Sequence, residues 1–330
     1  MLSFTKPATT ALEQIEFLKS RGLLIANQDQ ALSFLKTVSF FRLTPYMRPL
    51  QIRAQGKHHF KKDVTFEQLT QLYEFDRRLR LLVIDAIERI EVAIRASITD
   101  EMCNQYGTHW YLNIEYFKTT YNHSRLIQTI QDKQKAALKD YARECARIER
   151  LTTVDVNHKI VLKDKRKQEN YARHYALTYN TPALMPAWAM LEELSFGDLS
   201  HMYEGLAKDK DKKKIARIFE LYPPLLGSWL HTITVVRNIC AHHARLWNRE
   251  LGIIPVNATI KGFCWPVYLD AAHQHTHLSI VLSILTHMMK RINSQNTWRD
   301  QLFSLFETFK EIPVSDMGLP ANWKEDDFWK

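Results

Sequence analysis

Glycine is scarce in this chain, since only 9 of its 330 residues are glycine. Alternation between apolar and polar residues is also lacking, because the apolar residues of the long segments recur at helical spacing. The two absences argue against a fold built on sheets and tight turns, and they predict an all-α protein. The length allows one large or two modest domains, with enough chain to bury a core.

Cysteine is rare and dispersed, because the 4 cysteines lie far apart and form no CxxC pair. This spacing indicates neither a zinc knuckle nor a disulfide framework. Three histidines, His273, His275 and His277, precede an apolar segment, but only His273 and His277 would share a helix face. We interpret them as a polar helix start, and we expect no metal and no cofactor.

Long hydrophobic runs are missing as well, since no stretch approaches 18 uninterrupted apolar residues. Residues 1–11 have no apolar segment of the kind found in secretion signals. We therefore expect no membrane-spanning helix and no secretion, and the isolated cysteines suit a reducing cytoplasm.

Positive charge is in excess, because 45 Lys and Arg residues stand against 36 Asp and Glu residues and give a formal net charge of +9. A basic surface favours a polyanionic partner, with nucleic acid first and an anionic membrane second. Composition alone does not choose between them.

The helical pattern divides the chain into a small N-terminal part and a larger bundle. Residues 1–62 combine two short amphipathic helices with an aromatic and basic loop or short hairpin that begins at residue 42. Residues 63–330 form the bundle, unless both parts are one continuous domain. Within it, Gly197 and Asp198 look like a helix end and a new N-cap, and 208–214 looks like a charged linker. The helices that we expect cover residues 11–24, 28–41, 63–100, 124–150, 271–292 and 297–310.

Three charges on the longest predicted helix, Glu88, Glu91 and Arg95, fall together beside its apolar stripe. One interpretation is an internal ion pair between Glu91 and Arg95, which contributes about 0.2–0.5 kcal/mol when exposed. The other interpretation places these charges beside an active site.

The densest basic cluster lies in the segment at about 140–175 and is concentrated in residues 159–173. A charge run is usually a solvated face. The functional alternative is a surface that contacts RNA phosphates, whose affinity would fall steeply as salt rises. The residues assigned to that surface are Lys163, Lys165, Arg166, Lys167 and Arg173.

The chemistry of the chain is concentrated in residues 237–249, and no glycine or proline interrupts residues 228–251. We therefore expect one helix to carry this motif. Its apolar stripe would comprise Leu226, Trp229, Ile233, Val236, Cys240 and Ala244. Its polar stripe would comprise Asn238, His242, Arg245 and Arg249. Arg237 would lie at the boundary between the stripes, with a partly desolvated guanidinium.

Arg237 and His242 together suffice for one kind of chemistry. An imidazole can take the proton from a ribose 2′-hydroxyl, and a guanidinium offers a fork of donors to the phosphate that the hydroxyl attacks. No metal is needed for this step, and Asn238 could orient the imidazole or hold a phosphate oxygen. The alternative is an amphipathic helix whose polar face meets solvent, and the spacing alone does not decide.

Four stretches of the chain resemble a known family. Arg237, Asn238 and His242 match the Arg-Asn-x3-His motif of HEPN ribonucleases. The longer string RNICAHHARLWNR resembles the signature of the Abi-like abortive-infection proteins, the AbiD/AbiF group. The other three stretches are FFRLTPYMRPL at 40–50, LYEFDRRLRLLVIDAIERIEVAIRASI at 72–98 and RHYALTYNTPALMPAWAMLEELSFGDLSHMY at 173–203.

The resemblance implies a HEPN-type helical bundle with an additional N-terminal helical part. It implies phage defence by a toxin-like, metal-independent endoribonuclease, which in some systems is held inactive by a small structured RNA. HEPN active sites generally form where two motifs face each other. Because this chain has one such motif, the resemblance also implies a homodimer with a composite cleft.

Carried over residue by residue, Arg237 and His242 become the catalytic pair and Asn238 a supporting residue. The other matches to the family string, which would bind RNA or support the pair, are His243, Arg245 and Arg249. Two alternatives stay open. One is an RNA-binding module that uses the same basic surface without cutting, and the other is a HEPN protein whose motif contacts a partner or is modified by a partner enzyme.

Overall fold

Helices dominate the structure, a computed structural model that describes residues 3, 7–54, 57–258, 263–270 and 276–330. The structure is 69% helical and, within these ranges, has 13 α-helices and only one sheet of two strands. This content confirms the all-α prediction.

The N-terminal part contains three short helices and a hairpin. Its elements are α1 (Ala11–Ser20), α2 (Gln28–Val38), α3 (Phe40–Met47), β1 (Gln51–Ala54) and β2 (Lys57–Phe60). We expected a loop or a short hairpin in the segment that begins at residue 42. The hairpin is present, but the first residues of the segment belong to α3. Ser39 begins α3 by accepting a hydrogen bond from the Arg42 N–H, so one predicted helix is two.

The longest element, α4 (Phe66–Tyr106), has 41 residues and is therefore about 60 Å long. It begins at Thr65, one of the two predicted N-caps, in a reciprocal capping box with Gln68. Its apolar face is buried along the whole length, from Phe66 to Met102. This face packs against α3 and against most of the later helices.

In the described part of the chain, nine further α-helices follow α4. They are α5 (His123–Glu149), α6 (Val156–Gln168), α7 (Tyr171–Thr178), α8 (Ala187–Glu193), α9 (Phe196–Gly205), α10 (Asp209–Ala216), α11 (Pro223–Ala241), α12 (Leu278–Ile292) and α13 (Trp298–Thr308). The predicted helices at 124–150 and 297–310 are confirmed as α5 and α13. The predicted start of α12 includes residues 271–275, with His273 and His275, and these lie outside the described residues.

Two predicted breaks were wrong. The segment 208–214 is no linker, because Lys212 and Ile215 are buried and fix it as α10. The helix after α8 begins at Ser195, whose hydroxyl accepts from the Asp198 N–H, so Asp198 is the third residue of a capping box and not the N-cap.

A single cluster of buried apolar side chains extends from Ile15 in α1 to Trp329 near the C-terminal residue. The core therefore includes residues from both sides of the expected boundary at 62. In the described ranges, no helix has both the length and the hydropathy that crossing a membrane requires.

The side chain of His287 on α12 is buried, with 6% of its surface exposed. Its Nε2 lies 2.8 Å from the Phe219 carbonyl, which can only accept, so Nε2 carries the proton. The rings of Trp229 and Phe263 surround it. Burial lowers the pKa of His287 to about 4, although the hydrogen bond to Phe219 acts in the opposite direction.

The burial of His287 should make stability depend on pH. Because its folded pKa lies below the unfolded value, the unfolded chain binds more protons between about pH 4 and 6.5, and stability falls as pH falls through that window. Between pH 7 and 4.5, the free energy of unfolding of His287→Gln should fall by roughly 2–3 kcal/mol less than that of the wild type, as measured by urea unfolding. The exposed His201 is the control, and His201→Gln should follow the wild-type profile.

Candidate active site

The helix that carries the motif is α11, and the predicted apolar stripe holds as far as the helix extends. Its buried members are Leu226, Trp229, Ile233, Val236 and Cys240. Arg237 and Asn238 lie on the exposed side of the helix. The helix therefore presents the first half of the motif to solvent.

The prediction of a helix that continues to Arg249 was wrong. His242 is the C-cap, and His243 has a positive φ of 55°. The His243 N–H donates to the Cys240 carbonyl at 2.9 Å, and the Ala244 N–H donates to the Ile239 carbonyl at 3.0 Å. These two bonds form a Schellman motif, which ends the helix. Ala244, Arg245 and Arg249 therefore lie in a loop, and the predicted stripes do not extend to them.

The loop is held by a buried carboxylate on α4, that of Asp76, which is fully buried. Its oxygens accept from the N–H groups of Leu246 at 3.1 Å and Trp247 at 2.6 Å. They also accept from the Tyr46 hydroxyl at 2.5 Å and from the Arg80 guanidinium. Four donors therefore bond to the Asp76 carboxyl group. This pattern fits the ionised carboxylate, which only accepts hydrogen bonds.

Protonation states within this network follow from burial and charge. Burial raises the pKa of the Asp76 carboxyl, while Arg80 and the other donors oppose the rise. Burial alone would lower the pKa of Arg80, but Asp76 and Tyr46 outweigh it, so the pKa of Arg80 is raised. Burial and Asp76 also raise the pKa of Tyr46. Arg80 and Tyr46 thus keep their protons at neutral pH and remain donors.

Two arginines also hold the carbonyl groups of the loop. Arg42 on α3 donates to the His243 carbonyl at 2.6 Å, and Arg80 lies 3.5 Å from the Ala244 carbonyl. A side chain of the N-terminal part, that of Arg42, therefore contacts the backbone of the motif directly.

An open groove of about 410 Å³ lies between α4 and α11. Arg237 and His243 line it from the motif side, and Glu88 and Glu91 line it from α4. Its other lining residues are Arg77, Arg80, Leu81, Ile84, Ile87, Cys240 and Ala241. Burial raises the pKa of the Cys240 thiol to about 12, so this cysteine stays protonated and is no nucleophile at neutral pH.

The charges predicted on α4 divide between two places. Glu88 and Glu91 line the same groove as Arg237, and their place beside an active site stays a prediction. Arg95 is outside it: its guanidinium pairs with Glu91 at 2.5 Å and donates to the carbonyls of Leu191 at 3.0 Å and Leu194 at 2.9 Å. Arg95 therefore ties α4 to α8, as the ion-pair interpretation required.

The remaining motif residues differ in exposure. Arg237 is exposed, which corrects the expected partial desolvation of its guanidinium. Asn238 and His242 are also exposed but do not line the groove. Arg245 is half-buried, and burial lowers its pKa. Within this single chain, Arg237 and His243 therefore face the groove, whereas Asn238 and His242 are exposed outside it.

The basic cluster on α6 and α7 is largely neutralised by the chain itself. Lys163 pairs with Glu149, and Arg166 pairs with Glu169 at 2.6 Å. Arg173 is buried and bonded to Glu144 at 3.2 Å, so its side chain does not present the surface expected of a phosphate contact. Lys165 and Lys167 are the members of the assigned set without an ion pair in the part of the chain that the structure describes.

Asp76, Arg80 and Tyr46 were missed by the sequence analysis. The signal was present, because Asp76 and Arg80 are four residues apart on the apolar stripe of α4, between Phe75 and Val83. A charged pair in a buried stripe needs partners from elsewhere in the fold. The partners themselves, which are backbone N–H groups 170 and 171 residues away, leave no mark in the sequence.

The side chains present are of the types that phosphodiester chemistry uses, since a guanidinium can bind a phosphate and an imidazole can transfer a proton. In the described ranges, no group of three or more His, Cys, Asp or Glu side chains is placed to hold a metal ion.

A family model described as Abi-like protein matches residues 33–248, well over half of the chain. The match begins in α2 and includes both Asp76 and the motif as far as Asn248. No curated protein and no solved structure matches the chain.

The buried pair of Asp76 and Arg80 has a matched control on the same helix. Asp85 and Arg89 form an ion pair of the same types and spacing, but with 39% and 48% of their side chains exposed. We expect Asp76→Ala to lower the free energy of unfolding by about 3–5 kcal/mol, because a buried cation and two N–H groups lose their partner. Asp85→Ala should cost less than about 0.5 kcal/mol. Equal losses in urea unfolding would show that the network does not hold the fold.

Proposed function

Because the chain belongs to the Abi-like protein family, which points to abortive-infection defence against phage, we propose that it is a HEPN-type endoribonuclease. The observation that carries this proposal is that Arg237, Asn238, His242 and His243 are all exposed at the end of α11, next to a loop whose backbone is bonded to the buried Asp76. Nothing in the core requires these polar groups, since all four side chains are exposed.

In the proposed reaction, the Arg237 guanidinium binds the scissile phosphate and neutralises charge in the transition state. His242 takes the proton from the ribose 2′-hydroxyl, whose oxygen attacks the phosphorus. Asn238 precedes His242 by one helical turn and orients it or binds a phosphate oxygen. The products are a cyclic 2′,3′-phosphate and a 5′-hydroxyl, and no metal takes part.

We propose further that the active enzyme is a homodimer whose two motifs face each other. The groove side of α4 carries two large apolar side chains, Leu81 and Val92, each with 57% of its surface exposed. Leu81, Glu88 and Val92 share one helix face, since they are spaced by seven and four residues. Phe41, beside Arg42, is 87% exposed. A second copy of the chain would cover these residues and close the groove.

RNA is the proposed substrate, and an antitoxin RNA or protein is the proposed control. Lys165 and Lys167 are the residues of the basic cluster best placed to contact phosphates. The chemistry does not distinguish a structured antitoxin RNA from a substrate, because both offer the same phosphate backbone.

Cleavage should depend on both members of the catalytic pair. We expect Arg237→Ala and His242→Ala each to reduce cleavage of total RNA in EDTA by about 10²–10⁴-fold, because each removes charge stabilisation or proton transfer. Neither change should alter unfolding by more than about 0.5 kcal/mol, since both side chains are exposed. The assay compares RNA fragments and their cyclic phosphate ends.

Two exposed residues away from the groove serve as controls. His231 lies on the exposed side of α11, and Arg217 is 79% exposed beside Glu101. Their alanine variants should cleave at the wild-type rate. RNA that stays intact with the wild type but binds in a salt-sensitive manner would support the non-catalytic alternative.

The dimer should depend on the exposed apolar face of α4. We expect Leu81→Glu to yield a monomer that no longer cleaves, measured by light scattering after size exclusion and by the RNA assay. Val161→Glu is the control, because Val161 on α6 is 64% exposed and far in sequence from the motif. A monomeric wild-type protein with full activity would rule out the composite site.

A further inference from the structure

The left-handed turn that ends α11 is occupied by a histidine, His243, where glycine is the usual residue. The chain provides its own comparison, because α1 ends in the same motif with Gly22. The Gly22 N–H donates to Lys19 at 2.9 Å, the Leu23 N–H donates to Leu18 at 3.1 Å, and Gly22 has a φ of 87°. At this position a residue with a Cβ atom is strained and glycine is not.

The imidazole of His243 does not stabilise the fold. The His243 side chain is exposed, and in the described part of the chain it makes no hydrogen bond. The hydrogen bonds of His243 are made by its backbone, since the N–H donates to the Cys240 carbonyl and the carbonyl accepts from Arg42, and any residue except proline would supply both groups. A strained residue whose side chain does not stabilise the fold is a mark of a functional site.

The positive φ also separates the two consecutive histidines. His242 has φ −86° and ψ 9°, and it continues the helix on the side of Asn238. The change of sign at His243 turns the next side chain elsewhere, into the groove that Arg237 lines. His243 therefore lies in the groove with Arg237, while His242 lies outside it on the side of Asn238.

We propose that His243 is a second catalytic residue, which protonates the leaving oxygen when RNA is cleaved. This inference rests on the proposed ribonuclease activity. His242 takes the proton from the 2′-hydroxyl, and a bond forms between the 2′-oxygen and phosphorus. The bond from phosphorus to the 5′-oxygen breaks on the opposite side, and that oxygen takes the proton of the His243 imidazolium. Water then returns both imidazoles to their starting forms.

The test uses His243→Gly in the full-length protein, because this change should have opposite effects on stability and on activity. The melting temperature should rise by about 1–3 °C, since the strain at the turn is relieved. Cleavage of RNA should fall by about 10²–10⁴-fold, since the proton donor is lost. His243→Asn, which tolerates a positive φ, should lose activity in the same way.

A modified substrate separates loss of the acid from loss of structure. The probe is a short RNA with the mapped cleavage site, in which sulfur replaces the 5′-bridging oxygen. Because a thiolate leaves without being protonated, His243→Gly should cleave this RNA almost as fast as the wild type does. His242→Ala should cleave neither substrate, since the attack on phosphorus still needs its base.

Gly22→His is the reciprocal control for strain, and it should lower the melting temperature without a change in cleavage. Unimpaired cleavage of ordinary RNA by His243→Gly would overturn the inference, and so would equal loss on both substrates. Full activity of Arg237→Ala and His242→Ala would instead overturn the ribonuclease proposal itself.

Discussion

A carboxylate can be buried only if its oxygens accept enough hydrogen bonds to replace water, and the site depends on how this is done at Asp76. Arg80 and Tyr46 supply two of the donors. The other two are the N–H groups of Leu246 and Trp247, which a continuing helix would have bonded to its own carbonyls. The hydrogen bonds to Asp76 therefore require that α11 ends before Leu246. The position of both histidines depends on that end.

The same network explains why the motif lies where three elements meet. Tyr46 and Arg42 come from α3, Asp76 and Arg80 from α4, and the loop follows α11. The three elements contribute different groups: α3 a hydroxyl and a guanidinium, α4 a carboxylate and a guanidinium, and the loop its backbone N–H and carbonyl groups. The exposed groups that we assign to catalysis thus rest on buried groups that take no part in it, an arrangement that preorganises a site.

Most of the helices could be predicted from the sequence, because long helices show apolar residues at helical spacing and capping residues at their ends. Thr65 as the start of α4 is one example. The errors fell where local and tertiary signals disagreed. Residues 208–214 have the composition of a linker, yet burial of Lys212 and Ile215 makes them a helix.

For the site, the sequence identified the residue types but not their geometry. The spacing of Arg237, Asn238 and His242 was visible, whereas the end of the helix at Ala241 was not. No glycine marks that end, since His243 takes the left-handed conformation that glycine usually takes. A break that is imposed by a distant carboxylate cannot be read from the residues around it.

The contacts that shape the loop also set the order in which the molecule is assembled. Asp76 and Trp247 are 171 residues apart in sequence, and Arg42 and His243 are 201 apart. Closing loops of this length comes late in folding, after local helices have formed. During synthesis, the Asp76 carboxylate lacks its two backbone donors until the chain has been made as far as Trp247. A nascent chain that has not yet reached Trp247 therefore lacks the contacts that hold the loop after the two histidines.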